Sequence, residues 1–308
     1  MIKVLSLFDG ISVGKVALDN LGLKINIDYQ YYSSEINKNA IKCSNDNHTS
    51  IVRVGDVTKL SYSNGKLQTD FGVIDVGCID LIIGGSPCQS FSPLHTGSSK
   101  GLKGTSGLFY EYLRILKEVR QHNPSVKFLL ENVKMVNKNK DELDTYLNCK
   151  GILINSSLVS CQKRMRYYWS NVSLTLPKDL NISFQNIKEL DVNLDNTVLR
   201  TKTASMLKMW ADGQGTNSFA GGCANVTNMD KVFCLTTKQF RCPNSGLVAY
   251  KDFCRFLTQH ELEQAQTLPI GYTKVLSYNQ ACEVLGNGWT MEVIKHCLYT
   301  ILNGNING

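Results

Sequence analysis

Residues 2 to 8, IKVLSLF, form an apolar, β-prone run that stops at Asp9-Gly10, after which Val13, Val16, Ala17 and Leu21 recur at helical spacing as far as Gly22. The pattern predicts a strand, a glycine turn and a helix, the unit that turns backbone N–H groups and a helix N-terminus toward a ligand. A second strand is expected from Ile27 to Ser33, running out at Glu35, and a third from Ile51 to Val54, running into Gly55-Asp56-Val57. Leu81-Ile82-Ile83 reads as a buried parallel strand ended by Gly84 and Gly85, and Lys127 to Leu130 reads as another, with Glu131 just past its end. In QKRMRYYW, Gln162, Arg164 and Arg166 alternate, which predicts a β-type run with all three on one face and leaves Tyr167, Tyr168 and Trp169 to the core.

Beyond Trp169 the pattern changes. Residues 171 to 250 have irregular periodicity, many Asn, Thr and Gly, and GGC and PNSG turn signals, so a small, loop-rich, largely β insertion is expected there. From Arg255 the helical pattern returns. Thr258 with Glu261 forms a capping box, and a closing helix from Met291 to Leu302 follows Gly286-Asn287-Gly288-Trp289. Strands alternating with helices in this way make an α/β protein.

Composition narrows the class. A chain of 308 residues with 43% hydrophobic residues fills one large domain or two unequal ones. A formal charge of +7 suits a polyanionic partner such as nucleic acid. The eleven cysteines contain no CxxC pair and no His spacing of the zinc-site kind, so reduced thiols are expected, with no metal and no disulfide framework. No apolar run approaches the ~20 residues needed to span a bilayer. Met1 leads directly into a strand, and the expectation is a soluble cytoplasmic protein without a membrane partner.

The candidate chemistry centres on residues 84 to 92, GGSPCQSFS. Cys88 sits in a loop at the carboxyl end of a strand, where open α/β sheets place reacting groups. Pro87 fixes the backbone before the thiol, and the small neighbours admit a flat substrate. A buried structural cysteine is the alternative, but a Gly-Ser-Pro-Cys-Gln-Ser loop fills a core poorly. Asp9, Glu35 and Asp56 stand at the ends of three successive strands. Glu35 is placed to accept from ribose hydroxyls or to start a helix, and Asp56 to accept from an exocyclic amine or to cap a turn. Three such carboxylates without a phosphate-loop lysine suggest a neutral-to-cationic nucleoside cofactor. The Gly-, Ser- and Lys-rich stretch HTGSSKGLKGTSG can close over a substrate.

LSLFDGISVG, Glu35, GDV at 55 to 57, GGSPCQSFS, ENV at 131 to 133, QKRMR at 162 to 166 and GNGW at 286 to 289 stand in the order found in the C5-cytosine DNA methyltransferases. The chain resembles that family, with its opening and its Trp289 most similar to the eukaryotic de novo branch and related prokaryotic or viral enzymes. Where bacterial members open with FxGxGG, Ser12 and Val13 take the later glycine positions here and Gly14 follows. The resemblance implies a Rossmann-like, S-adenosylmethionine-dependent methyltransferase sheet formed by residues 1–170 and 253–308, with a small, mostly β target-recognition domain at 171–252. It implies cofactor contacts from Phe8, Asp9, Gly10, Ile11, Glu35, Ile36, Asp56, Val57, Pro87, Asn287, Gly288 and Trp289.

The same resemblance makes Cys88 the nucleophile that adds to C6 of cytosine, with Arg164 and Arg166 supplying the positive field that a thiol of ordinary pKa, about 8.5, requires. Glu131 then serves N3 of the ring. Double-stranded DNA is the expected partner, its target base turned out of the stack, with Gln89, Ser92, Gln162, Lys238 and Arg241 as candidate contacts. A tRNA-methylating branch carries nearly the same blocks. A catalytically silent DNA-binding relative is a further alternative, against which the complete set of reactive residues stands. A cysteine hydrolase lacks a well-placed histidine base.

Overall fold

The computed structural model describes residues 1–25, 28–87, 107–190, 198–212, 223–304 and 306. It divides into two compact units: the first holds Met1–Ile154, Met165–Leu176 and Ile294–Gly308, the second Asn155–Arg164 and Pro177–Val293. Both chain ends fall in the first unit, while residues 253–293, expected with them, fall in the second.

In the first unit, β1 (Ile2–Leu7), α1 (Val13–Ile25), β2 (Tyr29–Ser34), α2 (Lys38–Asn47) and β3 (Ile51–Arg53) follow the predicted order. Asn37 starts α2 by accepting the amides of Asn39 and Ala40, as a helix N-cap does. Three short strands come next, β4 (Ser61–Ser63), β5 (Lys66–Thr69) and β6 (Gly72–Asp75), forming an antiparallel meander. Asn64 and Gly65 join its first two strands with φ of 49° and 78°, the signs that a two-residue hairpin turn requires. Then come β7 (Leu81–Gly85), α3 (Gly107–His122), β8 (Lys127–Val133), α4 (Asn137–Leu147), β9 (Ile152–Asn155) and β10 (Met165–Trp169).

Seven of these strands make one sheet in the order β3-β2-β1-β7-β8-β10-β9. The pairings of β1 with β2 and β7, of β2 with β3 and of β7 with β8 are parallel, and β10 runs antiparallel to β8. Leu5, Leu7, Ile82, Phe128, Leu130, Tyr167 and Trp169 alternate onto one face and join the apolar residues of α3, α4 and the meander in a single core cluster. Lys127 lies on the opposite face. Its Nζ donates to the carbonyls of Ile301 at 2.8 Å and Gly304 at 2.9 Å, so a cation closes the end of the chain's last helix.

One corner of the core is polar. Asp144 is buried on α4 and accepts from Lys140 Nζ at 2.6 Å, Trp169 Nε1 at 2.7 Å and the Gly151 amide at 3.0 Å. Burial alone would raise its pKa, but these donors, Lys140 foremost, outweigh it and hold the carboxyl below the ordinary 3.8.

The second unit contains α5 (Ala204–Asp212), the hairpin β11 (Val248–Tyr250) and β12 (Phe253–Arg255), α6 (Gln259–Ala265) and α7 (Tyr278–Asn287), while α8 (Met291–Asn303) begins there and ends in the first unit. The strands expected across 171–250 reduce, among the described residues, to β11 and isolated bridges such as Asn225 to Leu247, with turns between them. The Thr258–Glu261 capping box is present. Glu261 also pairs with buried Arg255 at 2.7 Å, and because its oxygens take further amides from Thr258 and Glu189, this buried charge is well satisfied. Among the described residues no helix is long and apolar enough to cross a membrane, and no cluster of three or more His, Cys, Asp and Glu is gathered for a metal.

A group whose folded pKa is depressed adds stability above its unfolded pKa and loses it as pH falls through the folded value. Asp144→Asn is therefore expected to lower stability by about 1–2 kcal/mol at neutral pH. The gap to wild type should narrow once the pH drops below 3.8. Urea unfolding of both proteins across an acid pH series measures it.

Candidate active site

The sheet order reverses between β1 and β7, the crevice where open α/β sheets take ligands. The register shows how the strand ends line up there. Leu7 pairs with Ser34 on one side and Gly84 on the other, and Gly85 pairs with Glu131. The segments after β1, β2 and β7 therefore leave from one level of the sheet.

The first of these, the turn after β1, is unusual in its backbone. Phe8, Gly10 and Ser12 have φ of 58°, 57° and 60°. Two of these residues carry side chains, and each costs on the order of 1 kcal/mol in the left-handed region, so the surroundings must hold the turn. Asp9 does so from behind. Its buried carboxylate accepts from Ser6 Oγ and Tyr31 OH at 2.6 Å each, from Ser33 Oγ at 2.7 Å and from Ser12 Oγ. Burial, reinforced by the Asp9 charge, pushes the Tyr31 phenol well above its ordinary pKa and keeps it a donor. Glu35 braces the turn from the side. One carboxylate oxygen accepts the Gly10 amide at 2.7 Å, and the other accepts the amides of Ile36 and Asn37 at 2.8 and 2.7 Å. Glu35 is thus both a helix-start residue and a tie to the first turn.

Around this turn, Ile11 and Val57 are buried, while Ile36 is 69% exposed and presents an apolar surface at the end of β2. Phe8 is partly buried against the core cluster. Among the described residues, the direction in which a Gly10 side chain would point is open, with no atom beyond its own chain neighbours within 4 Å. Asp56 is half-buried and accepts the Thr58 amide at 2.9 Å, the capping arrangement anticipated as one of its two readings.

At the second loop the structure corrects the position of Glu131. It lies inside β8, flanked by Gly85 on β7 and Tyr168 on β10. Glu131 Oε1 lies 3.0 Å from Arg166 Nε, and both side chains are largely buried. The two residues occupy the same face of neighbouring strands on the diagonal, a spacing that a long arginine spans. Asn132, on the other face, reaches the loop: its Nδ2 lies 3.2 Å from Ser86 Oγ and 3.4 Å from Ser86 O. Pro87 is exposed. Cys88, Gln89 and Ser92 lie outside the described residues.

The run from Gln162 to Arg166 is not one strand. β10 begins at Met165, and Gln162 makes a bridge to Val232 in the second unit instead. The Gln162 side chain is fully buried, donating to Ala265 O at 3.0 Å and Gln266 Oε1 at 3.1 Å and accepting the Leu235 amide at 2.9 Å. Its amide is thus spent on the fold, contrary to the expected nucleic-acid contact. Arg164, 3% exposed, donates to the carbonyls of Leu235, Gly286 and Gly288 at 3.1, 3.2 and 2.9 Å. It braces the GNGW turn, in which Asn287 is exposed and Trp289 buried. Gly286 is required there, since a Cβ would meet the Thr236 backbone at 2.3 Å. Lys238 and Arg241 are both exposed on one turn closed by the Arg241 amide donating to Lys238 O at 3.0 Å.

Sequence reasoning missed Tyr31, Arg53 and Ser12, whose polar groups meet at Asp9. The one available signal is the run of hydroxyls YYSS in β2, where Tyr31 and Ser33 share a face.

A family model described as C-5 cytosine-specific DNA methylase matches residues 2–155. The orphan methyltransferase M.Rho11sI of Bacillus phage rho11s is 38% identical over 144 residues, covering 45% of this chain and 24% of the phage protein. The DNA (cytosine-5)-methyltransferase DRM1 of Arabidopsis thaliana is 38% identical over 124 residues, covering 39% and 19%. The matches thus span a quarter or less of these relatives' length. Among solved structures, the methyltransferase EhMeth of Entamoeba histolytica superposes with a TM-score of 0.73 at 16% identity, covering 98% of each chain. A DNMT2 variant from Spodoptera frugiperda gives 0.67 at 17%, covering 98% of this chain and 100% of that one. At such identities the structural likeness establishes the fold.

Removing the Asn132 amide strips buried Ser86 of its donor. Asn132→Ala is expected to cost about 1–3 kcal/mol, read as a lower urea midpoint with an unchanged denaturant slope.

Proposed function

Because the chain belongs to the C-5 cytosine-specific DNA methylase family, we propose that it methylates C5 of cytosine in double-stranded DNA from S-adenosylmethionine, through a transient bond between the Cys88 sulfur and C6. The observation that carries this reading is the register that sets Glu131 beside Gly85, three residues before Cys88, with Arg166 holding the carboxylate.

The first turn suits the donor. The α1 N-terminus and the backbone of the turn favour a carboxylate, the space beside Gly10 is open among the described residues, and exposed Ile36 offers an apolar face to a flat ring. Glu35 and Asp56 retain acceptor capacity for hydroxyl or amine groups. When bound, S-adenosylmethionine supplies an electrophilic methyl on its sulfonium and leaves as a neutral thioether.

Cytosine C5 is a weak nucleophile until C6 is attacked. The Cys88 thiolate adds to C6, and the electron pair of the C5–C6 double bond moves toward C5 and N3. Glu131 meets N3 with a proton or hydrogen bond so that charge does not accumulate on the ring. Arg166 fixes the direction of that carboxyl. C5 then takes the methyl, loses its proton to solvent, and the returning electron pair expels the sulfur, leaving 5-methylcytosine and the free thiol. Both ring faces must be reachable, so the base has to leave the stack. Lys238 and Arg241, together on an exposed turn, are proposed to meet the nucleic-acid backbone.

Duplex DNA carrying 5-fluorocytosine tests the covalent step, because fluorine at C5 blocks the final proton loss. A denaturation-resistant complex is expected with wild type and donor and none with Cys88→Ala, which should still bind donor; a complex of equal yield with Cys88→Ala refutes the nucleophile. Tritiated donor offered with duplex DNA or tRNA separates the two substrates. Lys238→Ala and Arg241→Ala should each reduce the slope of log affinity against log salt by about 0.9, measured by fluorescence anisotropy on a labelled duplex.

A further inference from the structure

Arg53 and Asp9 lie 3.8 Å apart, and they are also joined by two chains of hydroxyls whose directions follow atom by atom. A guanidinium only donates. Ser33 Oγ, 2.7 Å from Arg53 Nη1, and Ser44 Oγ, 2.7 Å from Nη2, therefore accept there, and each has one proton left to give. Ser33 gives its proton to Asp9 Oδ2 at 2.7 Å. Ser12 gives its own to the same oxygen, so the 2.5 Å contact between Ser44 and Ser12 runs from Ser44 to Ser12. Two one-way relays result, one from Arg53 through Ser33 and one from Arg53 through Ser44 and Ser12, both ending on Asp9. Bonds aligned head to tail polarise and strengthen one another. Ser6 and Tyr31 fill Asp9 Oδ1.

Four hydroxyl donors occupy a carboxylate with about four acceptor positions, and the Asp9 side chain is fully buried. It has nothing left to offer a ligand. What the ring controls is the backbone: Asp9 sits between left-handed Phe8 and Gly10, and Ser12, itself left-handed, is a link in one relay.

We propose that Asp9 and Arg53 are positioning residues for the methyl donor, which hold the Phe8–Ser12 turn in its left-handed form while the Asp9 carboxylate makes no contact with the donor. This rests on the reading that the turn receives S-adenosylmethionine. It replaces the expected direct contact from Asp9 with an internal one and brings Arg53, Tyr31, Ser12 and Ser44 into the donor site's support. A turn that holds its bound form only one-tenth of the time weakens binding about tenfold.

The test is calorimetric titration of S-adenosylmethionine into wild type, Arg53→Met, Arg53→Lys, Asp9→Asn and the Arg53→Met, Asp9→Asn double variant, with steady-state rates alongside. Arg53→Met should raise Kd and KM for the donor together by about tenfold or more, with kcat at saturating donor held within about threefold. Arg53→Lys should recover part of the loss, since an ammonium can serve one relay. The double variant should bind no more weakly than the worse single one, because both break the same ring. A folded Arg53→Met with wild-type Kd overturns the proposal, as does a double variant whose losses add in full, the mark of independent contacts. Should these variants fail to fold, Tyr31→Phe removes one hydroxyl only; a weaker Kd supports the ring and an unchanged one overturns it. No binding by the wild-type chain would instead sink the donor reading beneath the proposal.

Discussion

At Gly84 three pieces of chain come closer than any side chain permits. A Cβ there would lie 2.8 Å from the Leu7 carbonyl and 2.9 Å from the Tyr112 ring. Neither neighbour can retreat. The carbonyl belongs to β1, paired on both sides, and the buried Tyr112 is anchored by its hydroxyl to Leu129 O at 3.1 Å. This contact seats α3 flat on β7 while β7 keeps register with β1. The two loops proposed to carry donor and nucleophile leave from these two strands, at the point where the sheet order reverses. A larger residue at 84 would shift α3 or the strand pairing, and with it the spacing of both loops.

Three buried carboxylates follow a common rule: each is held by several donors, because an uncompensated charge in the interior is far costlier than a paired one. Asp9 takes four hydroxyls, Glu261 takes Arg255 and two amides, and Glu263 takes the Gly271 amide together with the Thr273 amide and hydroxyl. Asp9 and Glu261 each draw partners from two stretches of chain, and Glu263 ties its helix to the 271–273 turn. Buried charge therefore acts here as a tie between loops. Arg164 shows the same economy in the second unit, gathering carbonyls from positions 235, 286 and 288 around one guanidinium.

Local pattern was a good guide where an element is held by its own periodicity. β1, β2, β3 and the closing helix appear within two residues of their expected ends, and the Thr258–Glu261 cap forms as read. The helix α3 carries an equally legible period in Phe109, Tyr112, Leu113, Leu116 and Val119, all buried. The meander is harder, since strands of three or four residues hold too few alternations, although Asn64-Gly65 marks its first turn. The misreading of Gln162 and Arg164 has another cause. Their alternation is real, but a bridge to Val232, seventy positions later, decides where the segment goes. Likewise Asp9 looks like a ligand carboxylate in sequence because the four hydroxyls that enclose it come from Ser6, Ser12, Tyr31 and Ser33, and enclosure is a property of the folded sheet.

The seat of Glu131 inside β8 has a mechanical meaning. A carboxylate just past a strand end would share the mobility of its loop, whereas a residue paired on both sides has its Cβ fixed by two neighbouring backbones. Arg166, on the adjacent strand, then fixes the carboxylate itself. The proposed reaction needs two different kinds of support. The group that serves N3 must keep its direction while charge moves through the ring, and rigid strands supply that. The sulfur must approach C6, bond and withdraw, which requires an anchored root in the chain before it. Asn132 supplies the root by tying Ser86 to β8, one residue from the acid it neighbours. Asn132 and Glu131 are consecutive on one strand, so a shift of β8 would carry the carboxyl proposed to serve N3 and the Ser86 root together.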